Sequence, residues 1–521
     1  MKKQLTFILI ALLLVQCGSI QKYNTNLSKP IAVEKLKKDV SFAQKRLEKM
    51  HPNLYYYISK KELDRKFDSI KSTITSPMTS LELYKKISTV FSSVRQGHMY
   101  VYRPTKKLTS NETAALAKKG VGPLSQFEFE FIDDKLYVVK NKSYDLSIKA
   151  GTEVLAVNSI SPQSLYNEYK PRFTSDGFNM NFKPNFFAKR FGQFFTNENG
   201  ILDSISYNLK WNDSLKSVTI KRRIVDSTSI KKQLSKVVLT TAEKEKIRLD
   251  KKTIKKNERL LGYDEVSKSY NRNLTFLEKD SSIAVIKIKV FSKGSYKAFY
   301  KQAFKRIQDN HSQTLVIDLR NNGGGRLNEI VDLYKYLADS TFVFLDDSEV
   351  RSRGSIISNY FHGGPIFWKA ARILTAPIAV PIMYFLVKKK NDGKYYLSTK
   401  TNKQKIKKNA FKGKIYVLIN GGSFSASSVI SANLKGSKRA TLVGQETGGA
   451  HNGTVAGRMP IIELPNSKVR IRIGLMNCVP FHKSEIFGRG VFPDHEIIPT
   501  IADRINDIDP EMNWILEDCK K

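Results

Sequence analysis

Apolar and polar positions change their period along this chain, and each change marks a new kind of element. From Lys35 to Phe91 apolar residues recur at helical spacing in three groups: Val40, Ala43 and Leu47; Leu63, Phe67 and Ile70; and Leu81, Leu83, Ile87 and Phe91. Pro52 and Pro77 fall between the groups, where helices are expected to stop. A helical N-terminal unit over residues 30–105 follows. From Gly120 to Arg223 the pattern alternates instead, in "FEFEFIDDKLYVVKNKS" and "KSVTIKRR", which predicts strands. Residues 224–273 turn Lys-rich and poor in large apolar clusters, and read as a basic linker. Beyond them "SSIAVIKIKVF" and "TLVIDLR" are apolar runs each followed by a helical pattern, as expected of strands buried on both faces of an α/β body over 274–505. Within it "ILTAPIAVPIMYFLV", Ile373 to Val387, carries no charge. It is shorter than the ~20 residues that span a bilayer and holds Pro377 and Pro381, so a buried strand or a lid is expected there.

Composition limits what such a chain can be. At 521 residues it exceeds one compact core, and 41% hydrophobic with 26% charged residues is globular rather than disordered. The start, "MKKQLTFILIALLLVQCGSIQ", sets Lys2 and Lys3 before an apolar run from Leu5 to Val15 and then Cys17, the pattern of a secretory signal. It resembles a bacterial lipoprotein signal: residues 1–16 would be removed and Cys17 would carry the lipid. The resemblance implies an exported protein of the cell envelope, lipid-anchored, on the periplasm-facing side of an outer membrane. Cys478 and Cys519 are the other cysteines, free to pair or to stay apart. The histidines stand far apart, without HExxH or CxxC spacing, so no metal site and no cofactor is expected. A formal net charge of +40 raises nucleic acid as a partner, but the lysines are spread along the chain without interleaved aromatics. A solvated basic surface is the reading preferred, with no nucleic-acid partner.

Two stretches can carry chemistry. "QTLVIDLRNNGGGRLNEIVDLYKYLA" is a buried strand, a Gly-rich turn and an amphipathic helix; such a turn lets main-chain amides approach a ligand and suits a developing oxyanion. No GK[ST] follows it, so a P-loop is excluded. "KIYVLINGGSFSASSVISANL" repeats the geometry with Ser423, Ser425, Ser427 and Ser428 at the start of its helix. A serine there is either a nucleophile beside free N–H groups or a plain N-cap.

Together, "LVIDLRNNGGG", "INGGSFSASS", "ATLVGQETGG" and "GRGVFPDHEIIPT", in that order, resemble the C-terminal processing (tail-specific) peptidases and their tricorn-core relatives. "AGTEVLAVNSIS" within 119–223 resembles a PDZ domain, with an insertion around Tyr166 to Asn199. The fold implied is α/β, a crotonase/ClpP-like catalytic core with an N-terminal helical unit and an inserted PDZ-like β-rich domain. The activity implied is serine endopeptidase cleavage of protein or peptide substrates, often near their C-termini. The family's serine matches Ser425, with Ala426 and Gly323 or Gly324 as oxyanion donors. Ser-Lys members carry a lysine where this chain has Ala450, which disfavours that dyad. Tricorn-core relatives use a "GH" histidine, matched by His98 in "FSSVRQGHMYVYRP", with His451 as the rival. Their glutamate falls where this chain has Phe487, so Glu485, two residues earlier, is the expected third member, with another carboxylate or a main-chain carbonyl as the alternatives.

Two other classes remain open. The same fold serves retinoid-binding proteins, so a non-catalytic peptide- or lipid-binding protein is the alternative; a basic adhesin or nucleic-acid binder is the third.

Overall fold

The computed structural model describes residues 20–224, 241–265, 267–277, 281–360, 366–398 and 401–521. The leader and Cys17 lie outside the described residues. After a short helix, α1 (Ile20–Leu27), three amphipathic helices follow: α2 (Val33–Met50), α3 (Lys60–Thr73) and α4 (Ser80–Ser93). Their apolar stripes, Leu36, Val40, Ala43 and Leu47 on α2 and Leu63, Phe67 and Ile70 on α3, are buried, as the spacing predicts. Ser59 caps α3, and Thr79 with Glu82 makes a capping box on α4. The helices do not close a core of their own. They pack on strands from the far end of the chain, because β1 (Tyr100–Tyr102) pairs antiparallel with a strand at Arg470–Arg472.

A helix α5 (Ser110–Lys118) leads into the inserted region. There β2 (Phe127–Ile132), β3 (Lys135–Asn141), β4 (Thr152–Val157), β5 (Ser204–Trp211) and β6 (Ser214–Lys221) form one antiparallel sheet in chain order. Between β4 and β5 run α6 (Pro162–Tyr169) and α7 (Phe182–Asn199), whose aromatic residues fill the core of this sheet. A bridge between Val121 and Arg223 brings the two ends of the region together.

Where a basic linker was expected, a helix α8 (Thr241–Leu261) forms. Leu249 and Ile254 are exposed on it, and its last turn packs Leu260 and Leu261 into the core that follows. The Lys-rich surface hid this helix because, among its described side chains, the apolar packing is confined to the half-buried last turns. A small hairpin, β7 (Tyr263–Asp264) and β8 (Ser269–Tyr270), follows.

The core is a six-stranded sheet. Its strands are β9 (Arg272–Leu277), β10 (Ile283–Ile288) and β11 (Thr314–Asp318), then β15 (Lys414–Ile419), β16 (Thr441–Gly444) and β21 (His495–Glu496). The order is β21-β16-β15-β11-β10-β9, all neighbours parallel except β9 with β10. Helices α9 (Tyr296–Asp309) and α10 (Leu327–Tyr334) cover one face, together with a helix at Ala426–Gly436. Ile515 and Trp514 of the C-terminal helix cover the other. Burial on both faces accounts for the unbroken apolar runs of β11 and β15.

A second sheet joins β12 (Ser348–Val350), β13 (Val387–Lys389) and β14 (Tyr395–Leu397) to β17 (Thr454–Ala456) and β20 (Met476–Cys478). The strands β18 (Ile461–Glu463) and β19 (Arg470–Arg472) complete the sheet that β1 joins. After α11 (Arg353–Tyr360) comes α12 (Ile366–Leu386), where a buried strand or a lid was expected. Pro377 and Pro381 lie inside this helix on its exposed side, so the carbonyls they leave unpaired face outward. Cys478 and Cys519 are both free thiols, the first buried in the core shared with the N-terminal helices and the second half-buried against the far face of the six-stranded sheet.

Candidate active site

The turn between β15 and α13 (Ala426–Gly436) answers the question of the four serines. Ser423 donates its hydroxyl to the carbonyl of Leu319 at 2.8 Å, Ser427 to that of Asn322 at 2.8 Å, and Ser428 to that of Ser423 at 3.1 Å. Those three tie turns together. Ser425 differs: it stands just before the helix at φ 60°, ψ −120°, and its side chain caps nothing. A positive φ on a serine is strained, and the strain turns its Oγ away from the helix. The Oγ instead meets His98 Nε2 at 2.8 Å.

His98 reaches this place from the N-terminal unit, in the turn two residues before β1. Its ring stacks on Phe424, 4.8 Å between centroids, and its carbonyl accepts Arg472 Nε at 2.9 Å. Burial, with the charge of Arg472 second, pushes its pKa down to about 3. The imidazole is therefore neutral at neutral pH, the form a base requires.

On the other side of the ring, His98 Nδ1 lies 2.9 Å from Thr454 Oγ1, which in turn reaches Asp176 Oδ1 at 3.1 Å. Asp176 is buried in the loop between α6 and α7. It also accepts the N–H of Gly97 at 2.6 Å and that of Ala450 at 3.3 Å. Burial raises its pKa to about 6, with the hydrogen bonds from Gly97, Ala450 and Thr454 opposing. An ionised carboxylate only accepts. The single hydroxyl proton of Thr454 then goes to Asp176, and Thr454 Oγ1 accepts from His98 Nδ1–H. This leaves Nε2 unprotonated and open to the Ser425 hydroxyl.

The loop that carries Asp176 is fastened on both flanks. Gly177 donates to the carbonyl of Arg95 at 2.9 Å, Phe178 to that of Gly488 at 2.7 Å, and Asn179 Nδ2 to that of Thr447 at 2.7 Å. Gly177 has φ +54°, and a Cβ there would stand 2.2 Å from the oxygen of Gly488.

The first Gly turn abuts the second. Buried Asn322 donates to the Ile288 carbonyl at 2.8 Å and accepts the N–H of Gly324 at 2.9 Å, while Phe424 N–H donates to its carbonyl at 2.9 Å. Gly324 is therefore not an open donor. A Cβ on it would stand 2.6 Å from Ser425 Cβ and 2.9 Å from the Ala426 nitrogen, whereas one on Gly323 would meet open space. Neither Gly323 N–H nor Ala426 N–H has an acceptor among the described residues.

The remaining candidates lie elsewhere. Glu485 is exposed, and Phe487 packs with Tyr56, Tyr57 and Phe178 in a surface aromatic group. The carboxylate on the Nδ1 side of His98 belongs to Asp176, which sequence reasoning missed together with Thr454. His451 is buried, its ring set against the main chain of His482, and it makes no hydrogen bond to Ser425. No group of residues suited to holding a metal occurs among the described residues.

Residues 282–497 match the family model described as peptidase family S41. Among solved structures, mature CPAF is 14% identical with a TM-score of 0.56, covering 91% of this chain and 94% of its own. Mature CPAF complexed with lactacystin is 13% identical with a TM-score of 0.57, covering 94% of this chain and 98% of its own. The photosystem II D1 C-terminal processing protease is 14% identical with a TM-score of 0.40, over 89% of this chain and 93% of its own. No curated protein matches the chain. The likeness to CPAF concerns the fold, and it covers the α/β core together with the parts before it.

Proposed function

We propose that this chain, whose residues 282–497 match the model of peptidase family S41, is a serine peptidase in which Ser425 attacks the scissile carbonyl and His98 takes its proton. The observation that carries this reading is the 2.8 Å approach of His98 Nε2 to Ser425 Oγ, made by a strained serine whose three neighbours spend their hydroxyls on main-chain carbonyls. Thr454 and Asp176 act through the imidazole as positioning residues: they hold the proton on Nδ1, and the carboxylate offsets the imidazolium charge when it forms. As bond formation moves charge onto the carbonyl oxygen, the N–H groups of Ala426 and Gly323 receive it. His98 then returns the proton to the leaving amine, and water repeats the sequence on the acyl-enzyme.

The match to the S41 family model supports protein or peptide substrates, and cleavage near their C-termini is the preference proposed. The leader with Cys17 supports an exported enzyme tethered to the membrane by lipid, facing the periplasm from the outer membrane.

A fluorophosphonate probe tests the core of the reading. It should acylate Ser425, as located by peptide mass spectrometry, and Ser425→Ala and His98→Ala should each abolish the adduct on folded protein. An adduct elsewhere, or one on Ser425 indifferent to His98→Ala, would overturn the pairing.

A further inference from the structure

Helix α12 presents to solvent a face that soluble proteins do not leave bare. Leu374 is 81% exposed, Phe385 74% and Ile378 71%, with Ile373, Ile382 and Leu386 beside them. These positions recur every three or four residues, so they form one continuous apolar strip along the outer side of the helix. The opposite side is anchored: Met383 is buried, and Ala379 and Val380 pack on the core shared with the N-terminal helices. The strip is therefore fixed in place by a folded body beneath it.

We infer that this face lies flat on an anionic lipid bilayer, inserted to headgroup depth. Charge selects this occupant. Lys388 and Lys389 stand exposed where the helix ends, and Arg353 lies over the ring of Tyr384, 4.4 Å from its centroid. The helix sequence, IFWKAARILTAPIAVPIMYFL, contains no Asp or Glu, and the chain carries +40 overall. Pairing this face with a second copy would set basic flank against basic flank with no carboxylate on either helix to answer. An anionic surface answers all of them, and each basic residue near such a surface adds to the attraction.

Depth follows from the prolines. Pro377 and Pro381 leave two main-chain carbonyls without their helical partners, on the exposed side. At headgroup depth water still reaches them, whereas the hydrocarbon interior offers nothing in exchange. Among the described residues no helix is long and apolar enough to cross a membrane, consistent with one that lies on it.

The inference stands on the helix and not on the acyl anchor, so its test removes the anchor. The chain from residue 17 onward, carrying Cys17→Ser, is sedimented with vesicles of phosphatidylcholine alone and with vesicles containing 30 mol% (about one lipid in three) phosphatidylglycerol. Binding to the anionic vesicles should exceed binding to the neutral ones at least about tenfold and weaken as salt rises. A triple variant, Leu374→Asp, Ile378→Asp and Phe385→Asp, should lose it while Ser425 still takes the fluorophosphonate, since every changed residue is exposed. In Phe385→Trp, brominated lipids should quench the new fluorescence. Three results would overturn the inference: no binding by the parent chain, undiminished binding by the triple variant, or a parent that self-associates and a triple variant that does not, which would give the face to a second copy. Loss of membrane retention on Cys17→Ser in cells, with vesicle binding unchanged in the purified chain, would leave the inference standing and bear on the anchor alone.

Discussion

Asp176 accepts the hydroxyl of Thr454 at 3.1 Å, a contact between residues 278 positions apart that no local pattern links. On the proposed reading it sets the tautomer of the imidazole beside Ser425, and each consequence of that placement can be measured separately.

Thr454→Val removes the hydroxyl that holds the proton on His98 Nδ1 and leaves the ring the same shape of neighbour. The expected loss in kcat/KM toward a peptide substrate is about 10²-fold, within the range of general-base contributions. Thr454→Ser should restore most of it, because only the hydroxyl matters to the relay. Equal loss in both variants would make Thr454 a packing residue.

The acid limb of activity should belong to Asp176. Below about pH 6 this group takes up a proton and becomes a donor. The Thr454 hydroxyl can then turn to Nδ1, which moves the imidazole proton to Nε2 and closes the face that Ser425 uses. His98, held near 3, stays neutral throughout and cannot supply this limb. Stability moves the other way: the folded pKa lies above the ordinary carboxylate value, so the group's contribution to the fold grows as pH falls through about 6 and levels off near that ordinary value. A pH profile of kcat/KM beside thermal melts at the same pH values separates the trends. Should Asp176→Asn keep both the full rate and a limb near pH 6, Asp176 has no part in it.

Gly324 should tolerate no side chain. An alanine there would drive its Cβ into Ser425 and the Ala426 nitrogen in a backbone of φ +95°. Peptide hydrolysis should fall by about 10²-fold or more, the cost of displacing one oxyanion donor, the Ala426 N–H. Gly323→Ala, facing open space, should cost far less. The comparison of the two in steady-state kinetics decides whether close approach or mere flexibility is required.

Beneath this turn Arg272 and Glu329, both fully buried, pair at 2.5 Å, and the guanidinium also donates to the carbonyls of Ser292 and Lys293. Arg272→Met leaves the carboxylate with Arg326 and Tyr300 only. Losing one partner of a buried pair typically costs about 3–5 kcal/mol, so chemical denaturation should show a shift of that order. An unchanged midpoint would mean that Glu329 takes up a proton without cost.

How much of this was legible in the sequence depends on what each residue's neighbours reveal. Helices α2 to α4 were legible because each carries a long stripe of one period, and β11 and β15 because both their faces are apolar. Ser425 stood out through its Gly turn, although only its strained φ and the hydroxyls of its neighbours single it out from Ser423. His98 could be pointed to by resemblance alone, since one histidine after a helix has no pattern. Asp176 and Thr454 were not legible: the first lies in a loop of the inserted region, the second on a short strand, and folding alone brings them together. Helix α12 was misjudged because its prolines argue against a helix and its apolar content argues for burial. It is a helix, and mostly unburied.

Ser425 comes from the core, His98 from the N-terminal helices and Asp176 from the inserted region, and β1 reaches its place only by pairing with β19. The strand that seats the histidine is thus completed by residues made some 370 positions later. A chain still emerging from its ribosome holds a base without a nucleophile, and then a nucleophile whose base is not yet seated. On the proposed pairing, Ser425 and His98 meet only when the last sheet closes, so the relay is assembled by the fold as a whole and by no single unit of it.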